Sequence, residues 1–359
     1  MESFDLTICS TRVRVQSNDG RFVRYARQHF APILLEGALE PEITISFTRE
    51  RRSRAPTDFL SDHEKVCRGV YVNEREIVWS EVPYLEGLRM TFSRAEGNMD
   101  VAAAYAPSAS LKRTIWKMAL ALVGRAGSPN RFYFELMYNL VYYPVFWRLR
   151  TRSIFLMHGG GVAIDGAGVV IVGAQGTGKS TLIAQLLARP GSAFISDNLI
   201  LFDPWRVYSC HEPLRIDMRM LSRMPHMSDL LERIDVPVPL GRTAFNVARS
   251  KRREETVPAI FIVPRMSRAE TSLRPVPKET VIERIRCFNT LADEVRSFEV
   301  FASVLCPASP SPGAREAETR ALESLLGAAR CYEMNIKYGE HPGETAAKLD
   351  AVLSPVKSG

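Results

Sequence analysis

The chain has 359 residues, 46% hydrophobic and 24% charged, with a formal net charge of +7. That length is enough for two domains of ordinary size, each burying its own core. The basic balance suits nucleic acid, anionic lipid or an acidic substrate, but selects none of them by itself. The cysteines Cys9, Cys67, Cys210, Cys287, Cys306 and Cys331 are scattered, which excludes a C-x-x-C metal or redox pair and leaves reduced thiols as their reading.

The first hundred residues alternate apolar and polar positions in short runs, at Phe4 to Ile8, Arg12 to Val15, Ile43 to Phe47 and Glu76 to Trp79. This is the period of half-buried strands, separated by turn-like or charged segments such as Asn18-Asp19-Gly20 and Arg49 to Pro56, and it predicts a β-rich domain over 1–107. Acidic residues in Met1 to Asp5, with no apolar run after them, do not make a secretory signal, and a cytoplasmic protein is the expectation. Between Ser108 and Arg150 longer periodic stretches predict two helices, one on Leu111, Ile115, Met118, Ala119 and Leu122 and a second on Phe134 to Val141, with Gly124 to Pro129 as the break. Phe132 to Trp147 is too short for a membrane span and is interrupted by Glu135, Asn139 and Pro144, so it reads as a buried helix, with a membrane-surface role as the alternative. The basic runs, Arg49, Arg51, Arg52 and Arg54, then Arg242, Arg249, Lys251, Arg252 and Arg253, lack interleaved aromatics and read as solvated loops rather than a nucleic-acid groove.

From Ile154 onward strands and helices alternate, the mark of a parallel or mixed sheet covered on both faces over 151–350. Val169-Val170-Ile171-Val172 is a strand buried on both faces, and Leu182 to Leu187 begins a helix. Between them Gly173-Ala174-Gln175-Gly176-Thr177-Gly178-Lys179-Ser180-Thr181 fits the phosphate-loop pattern G-x-x-x-x-G-K-[ST] (Walker A) without a mismatch. The glycines let backbone N–H groups converge on phosphate oxygens, Lys179 would reach the β- and γ-phosphates, and the Ser180 hydroxyl would ligate Mg²⁺. His158 precedes Gly159-Gly160-Gly161 and a hairpin-like turn, Asp165-Gly166-Ala167-Gly168. Farther on, Ser196-Asp197-Asn198 interrupts an apolar strand pattern and places an acid where metal ligation or general-base chemistry needs one. Glu212-Pro213-Leu214-Arg215-Ile216 then offers Arg215 as a phosphate clamp. Pro258 to Pro264 reads as a core strand, Thr280 to Arg286 and Ala314 to Leu326 as helices, and Pro307 to Gly313 as a surface connection.

These residues resemble the catalytic domain of HPr kinase/phosphorylase and the wider family of bacterial serine-kinase-like proteins. The likeness rests on His158-Gly159, the Asp165 to Gly168 hairpin, Gly173 to Ser180, and Ser196-Asp197-Asn198 in place of an Asp-Asp pair; it covers about residues 150 to 350, weakly after 220. The resemblance implies an α/β phosphate-loop nucleotide-binding core of the HPr kinase and phosphoenolpyruvate carboxykinase type, preceded here by a β-rich α+β region and a helical connection over 108–150. It implies an ATP- and Mg²⁺-dependent kinase acting on a serine or threonine hydroxyl of a peptide or protein, a biosynthetic precursor peptide by likeness to the kinase-like members. Asp197 matches the general base, His158 the histidine of the same site, Ser180, Asp197 and Asn198 the metal side, and oligomers are frequent in the family. Two departures stand out. Asn198 brings no charge, and the Glu-Ile-Arg-Gly signature of the phosphorylase direction has no match. The alternative is a nucleotide-gated binding protein with little or no transfer, which Asn198 favours. A transporter-type ATPase lacks its Leu-Ser-Gly-Gly signature, and no motif points to nucleic acid.

Overall fold

In the computed structural model, residues 1–37, 40–50, 62–82, 85–95, 98–106, 131–236, 242–297, 301 and 314–353 are described. The helix expected on 111–122, the break at 124–129, Arg51, Arg52, Arg54, Cys306 and the connection at 307–313 lie outside them. Contacts divide the chain into two units, Met1–Arg148 with Glu299–Ser309, and Leu149–Phe298 with Pro310–Gly359.

In the first unit the four alternating runs fall in β1 (Glu2–Ile8), β2 (Thr11–Ser17), β3 (Ile43–Arg49) and β6 (Glu76–Trp79), and the structure adds β4 (Glu64–Cys67), β5 (Val70–Val72), β7 (Leu88–Ala95) and β8 (Asn98–Tyr105). They form one eight-stranded sheet in the order β1-β2-β3-β8-β7-β6-β5-β4. Leu6, Val13, Val15, Ile43, Ile45, Phe47, Phe92 and Val101 are buried, as period-two patterning requires. The pairing of β2 with β3 is parallel, and a parallel pair needs a crossover. Helix α1 (Gly20–Phe30) supplies it. Asn18-Asp19-Gly20 is not a turn between strands: Asp19 is the helix N-cap, its carboxylate accepting from the N–H groups of Arg21 at 2.9 Å and Phe22 at 3.3 Å.

The expected buried helix is present, as α2 (Arg131–Met137) and α3 (Tyr143–Arg150) joined by a π-helical turn at Tyr138–Tyr142. The Asn139 side chain donates to the Glu135 carbonyl at 2.9 Å. That contact takes the acceptor of the regular ladder at the point where the winding loosens. Phe301 returns to this unit and stacks on Trp147, ring centroids 5.1 Å apart, with Trp79 and Phe92 at its edges.

The second unit is a mixed sheet built on β9 (Phe155–Ile164), β10 (Ala167–Val172), β11 (Ser192–Ser196), β12 (Leu199–Phe202) and β13 (Val207–Ser209). The chain adds β14 (Leu214–Asp217), β15 (Leu231–Ile234) and β16 (Arg242–Val247), which form a small three-stranded sheet. It then returns to the main sheet with β17 (Glu255–Ser267), β18 (Ser272–Pro275) and β19 (Arg330–Lys337). The β10–β17 and β17–β19 pairings are parallel, while β9 with β10 is an antiparallel hairpin turning at Asp165 (φ 49°) and Gly166 (φ 92°). Val169 and Ile171 enter one core cluster with α4 (Lys179–Leu187), and Val170 and Val172 enter the other, with residues of α5 (Lys278–Phe288) and α6 (Ala314–Leu325). A strand covered on both faces is what an unbroken β-branched run signals.

In the second basic run Arg249 and Arg253 are exposed, as a solvated segment requires, while Arg242 and Arg252 depart from that reading. Arg242 opens β16, and the Arg252 guanidinium lies over the Phe194 ring, 5.4 Å from its centroid. The five cysteines among the described residues are free thiols. Among those residues no helix is long and apolar enough to cross a membrane.

Candidate functional site

The glycine-rich segment 173–178 joins β10 to α4, and its backbone explains its composition. Gly176 (φ 82°) and Gly178 (φ 92°), the latter the N-cap of α4, occupy left-handed conformations that side chains resist. Lys179 opens the helix and turns its ammonium back into the loop, donating to the carbonyls of Gly173 at 2.7 Å and Ala174 at 2.8 Å and to His158 Nε2 at 3.1 Å. Burial pulls the Lys179 pKa down to about 8 against the attraction of Asp197, and the Arg242 charge adds to the depression. Burial likewise drives His158 down to about 4, helped by the neighbouring Lys179 cation. His158 is therefore neutral and accepts from the lysine. It comes from β9, where its backbone N–H donates to Asn289 Oδ1 at 3.0 Å while Asn289 Nδ2 donates to the Leu156 carbonyl at 2.8 Å.

Asp197 and Asn198 form the tight break between β11 and β12, both of which pair with β9. Asn198 takes φ 70°, and the Leu199 N–H reaches the Asp197 carbonyl at 2.9 Å. The break presses against the glycine run of β9. A Cβ on Gly160 would lie 2.6 Å from the Ser196 carbonyl oxygen and 3.0 Å from the Asp197 Cα. Small residues there let the acid approach α4, and the Ser180 hydroxyl stands 3.1 and 2.9 Å from the two Asp197 oxygens. Asp197 is 2% exposed. Burial pushes its carboxyl up, opposed by the Ser180 hydrogen bond and by the Lys179 and Arg215 cations.

A cleft of about 360 Å³ joins these groups, lined by His158, residues of the loop, Lys179, Ser180, Asp197, Asn198 and Arg215. Of the residues that the sequence motifs single out, His158, Gln175, Gly176, Gly178, Lys179, Ser180, Thr181, Asp197, Asn198 and Arg215 line the cleft, while Gly173, Ala174 and Thr177 belong to the loop without lining it. Ile216, Asp217, Met220, Arg242 and Met266 complete the lining, and the motifs point to none of them as site residues. Nor was Glu212, fully buried, which accepts from the Asn198 amide and from Arg215 Nη2 at 3.1 Å. Its signal was an acid in a buried apolar stretch three residues before Arg215. Arg242 had no signal separable from the charge run that follows it.

No family model matches the chain, and no curated protein does. Among solved structures, the HPr(Ser) kinase/phosphatase from Coxiella burnetii is similar at a TM-score of 0.27 and 10% identity, over 56% of this chain and 99% of that one. Similarity at that level does not establish a common fold.

Proposed function

We propose that this chain is an ATP-dependent phosphotransferase acting on a serine or threonine hydroxyl of a peptide or protein. The observation that carries the reading is the convergence of Lys179, Ser180 and Asp197 from a glycine loop, a helix start and a strand break onto one cleft. Loop N–H groups and the Lys179 ammonium suit a triphosphate, and Arg215 and Arg242 add positive charge to the lining.

The donor set fits Mg²⁺: a hydroxyl, a carboxylate and an amide oxygen are hard ligands, at Ser180, Asp197 and Asn198. Among the described residues no three acidic, histidine or cysteine side chains gather as a self-sufficient metal cage. That suits an ion which keeps waters and binds partly through substrate phosphates. When bound, Mg²⁺ neutralises charge developing on the phosphoryl oxygens.

In transfer, an Asp197 oxygen takes the acceptor hydroxyl proton. The hydroxyl oxygen forms its bond to the γ-phosphorus as the β,γ-bridging P–O bond breaks, and ADP leaves with that electron pair. Lys179, free of the loop carbonyls, follows the phosphate charge. His158 is neutral and takes a hydrogen bond from the Lys179 ammonium through Nε2, while Asn289 anchors its backbone N–H.

The second reading, a nucleotide-gated binding protein with little transfer, draws on the uncharged Asn198 next to Asp197. Transfer of label from γ-labelled ATP with Mg²⁺ into serine-containing peptides decides between them. Label lost in both Lys179→Ala and Asp197→Asn supports the kinase. Nucleotide binding lost in Lys179→Ala, with no label in any acceptor, supports the switch.

A further inference from the structure

Glu212 lies behind the cleft, and two of its hydrogen-bond partners, Asn198 and Arg215, line it. One carboxylate oxygen, Oε2, accepts from Asn198 Nδ2, and the other, Oε1, accepts from Arg215 Nη2 at 3.1 Å. The side chain has 0% exposure, so it is held by protein partners, these two among them. An ionised carboxylate can only accept, which fixes the Asn198 amide with its nitrogen inward. Its carbonyl oxygen is then the arm left for the cleft that Asn198 lines.

We propose that Glu212 is a positioning residue that supplies from behind the negative charge which position 198 lacks, holding the Asn198 carbonyl oxygen and the Arg215 guanidinium for a Mg²⁺–nucleotide. The inference rests on the phosphotransferase site proposed above. A carboxylate behind a neutral ligand makes that ligand a better donor and holds its orientation. The placement also reverses what the uncharged asparagine suggests by itself. An aspartate at 198 would not restore a missing ligand; it would set two carboxylates against each other in a buried contact, where both cannot stay ionised.

The test exchanges amide and carboxylate between the two positions. In Asn198→Asp/Glu212→Gln, the new glutamine donates its amide to the new aspartate and offers its carbonyl to Arg215, so every contact is kept with the charge moved forward. Mn²⁺ affinity is measured by electron paramagnetic resonance with a non-hydrolysable ATP analogue present, alongside melting temperature and label transfer. Glu212→Gln is expected to weaken Mn²⁺ binding roughly tenfold to a hundredfold, the usual range for losing the partner of a ligand. Asn198→Asp is expected to weaken it too. The exchange variant is expected to return within roughly threefold of the parent, since its hydrogen bonds are matched again.

Asn198→Asp alone binding Mn²⁺ as tightly as the parent, or an exchange variant no better than the weaker single, overturns the inference. The exchange variant keeps the packing and charge count, so unfolding of a single variant leaves that comparison intact. Restored Mn²⁺ binding without label in any acceptor would sink the kinase reading and keep Glu212 in its role. Absence of nucleotide binding by the parent would overturn both.

Discussion

Adding one methyl group at Gly160 probes the packing that brings Asp197 to Ser180. Gly160 sits in β9 with ordinary strand dihedrals, so alanine faces no backbone strain and even gains about 0.4–1 kcal/mol by restricting the unfolded chain. Against that stands space. The new Cβ would meet the Ser196 carbonyl oxygen at 2.6 Å, the Ile183 Cδ1 at 2.5 Å and the Asp197 Cα at 3.0 Å. The isoleucine tip can swing aside; the backbone atoms cannot move without opening the β9–β11 pairing. Overpacking costs about 1–3 kcal/mol, and rigid contacts place this case at the upper end, for a net loss of about 2 kcal/mol. In a unit of roughly 200 residues that lowers the melting temperature by about 4–8 °C. Gly159→Ala meets one carbonyl oxygen at 2.8 Å and should cost less, and Gly161→Ala, whose nearest atom is a carbonyl oxygen at 3.0 Å, should come out near neutral. Differential scanning calorimetry of the three variants reads the gradation, and calorimetric titration with ATP reads the site. Nucleotide affinity should fall in Gly160→Ala first, because the break carrying Asp197 must shift. Three variants melting alike, or Gly160→Ala melting above Gly161→Ala, would refute the reasoning.

Lys179→Met should weaken ATP binding about tenfold to a hundredfold, the worth of a charge-assisted hydrogen bond, in calorimetric titration. Because Lys179 stands near pKa 8 and a bound phosphate would raise it, binding should take up protons at pH 8, seen as a buffer-dependent binding enthalpy that Lys179→Met removes. His158 falls to about 4 in the folded protein from an ordinary 6.5, so between those values the unfolded chain holds the extra proton. Its contribution to stability is complete above pH 6.5 and is lost as pH falls through 4; denaturation midpoints of His158→Gln should show a shallower acid limb. Asn289→Ala removes both anchors of β9 beside His158 and should cost about 1–3 kcal/mol by urea denaturation. Phe301→Ala empties the stack on Trp147, Trp79 and Phe92 and should destabilise the first unit by about 3–5 kcal/mol, read from tryptophan fluorescence during unfolding.

What the residues determine locally was legible before any tertiary contact. The apolar run 169–172 must be buried on both faces, the glycine pattern of 173–178 must turn where side chains cannot, and Asp165-Gly166 must close a hairpin. These are decided by covalent geometry and by short-range periodicity, which a sequence carries outright. The crossover helix α1 was hidden because Asn18-Asp19-Gly20 serves equally as a turn or as a helix cap, and only the parallel pairing of β2 with β3 requires the helix. At the site, motif residues signalled Lys179, Ser180, Asp197, His158 and Arg215, and the tertiary structure alone brought Glu212 and Arg242 to them. A buried carboxylate differs from a surface one by its partners, and those partners, Asn198 and Arg215, come together with Glu212 only where the strand break and β14 meet in space. Sequence fixes what each side chain can do; burial and long-range pairing choose which of them act together.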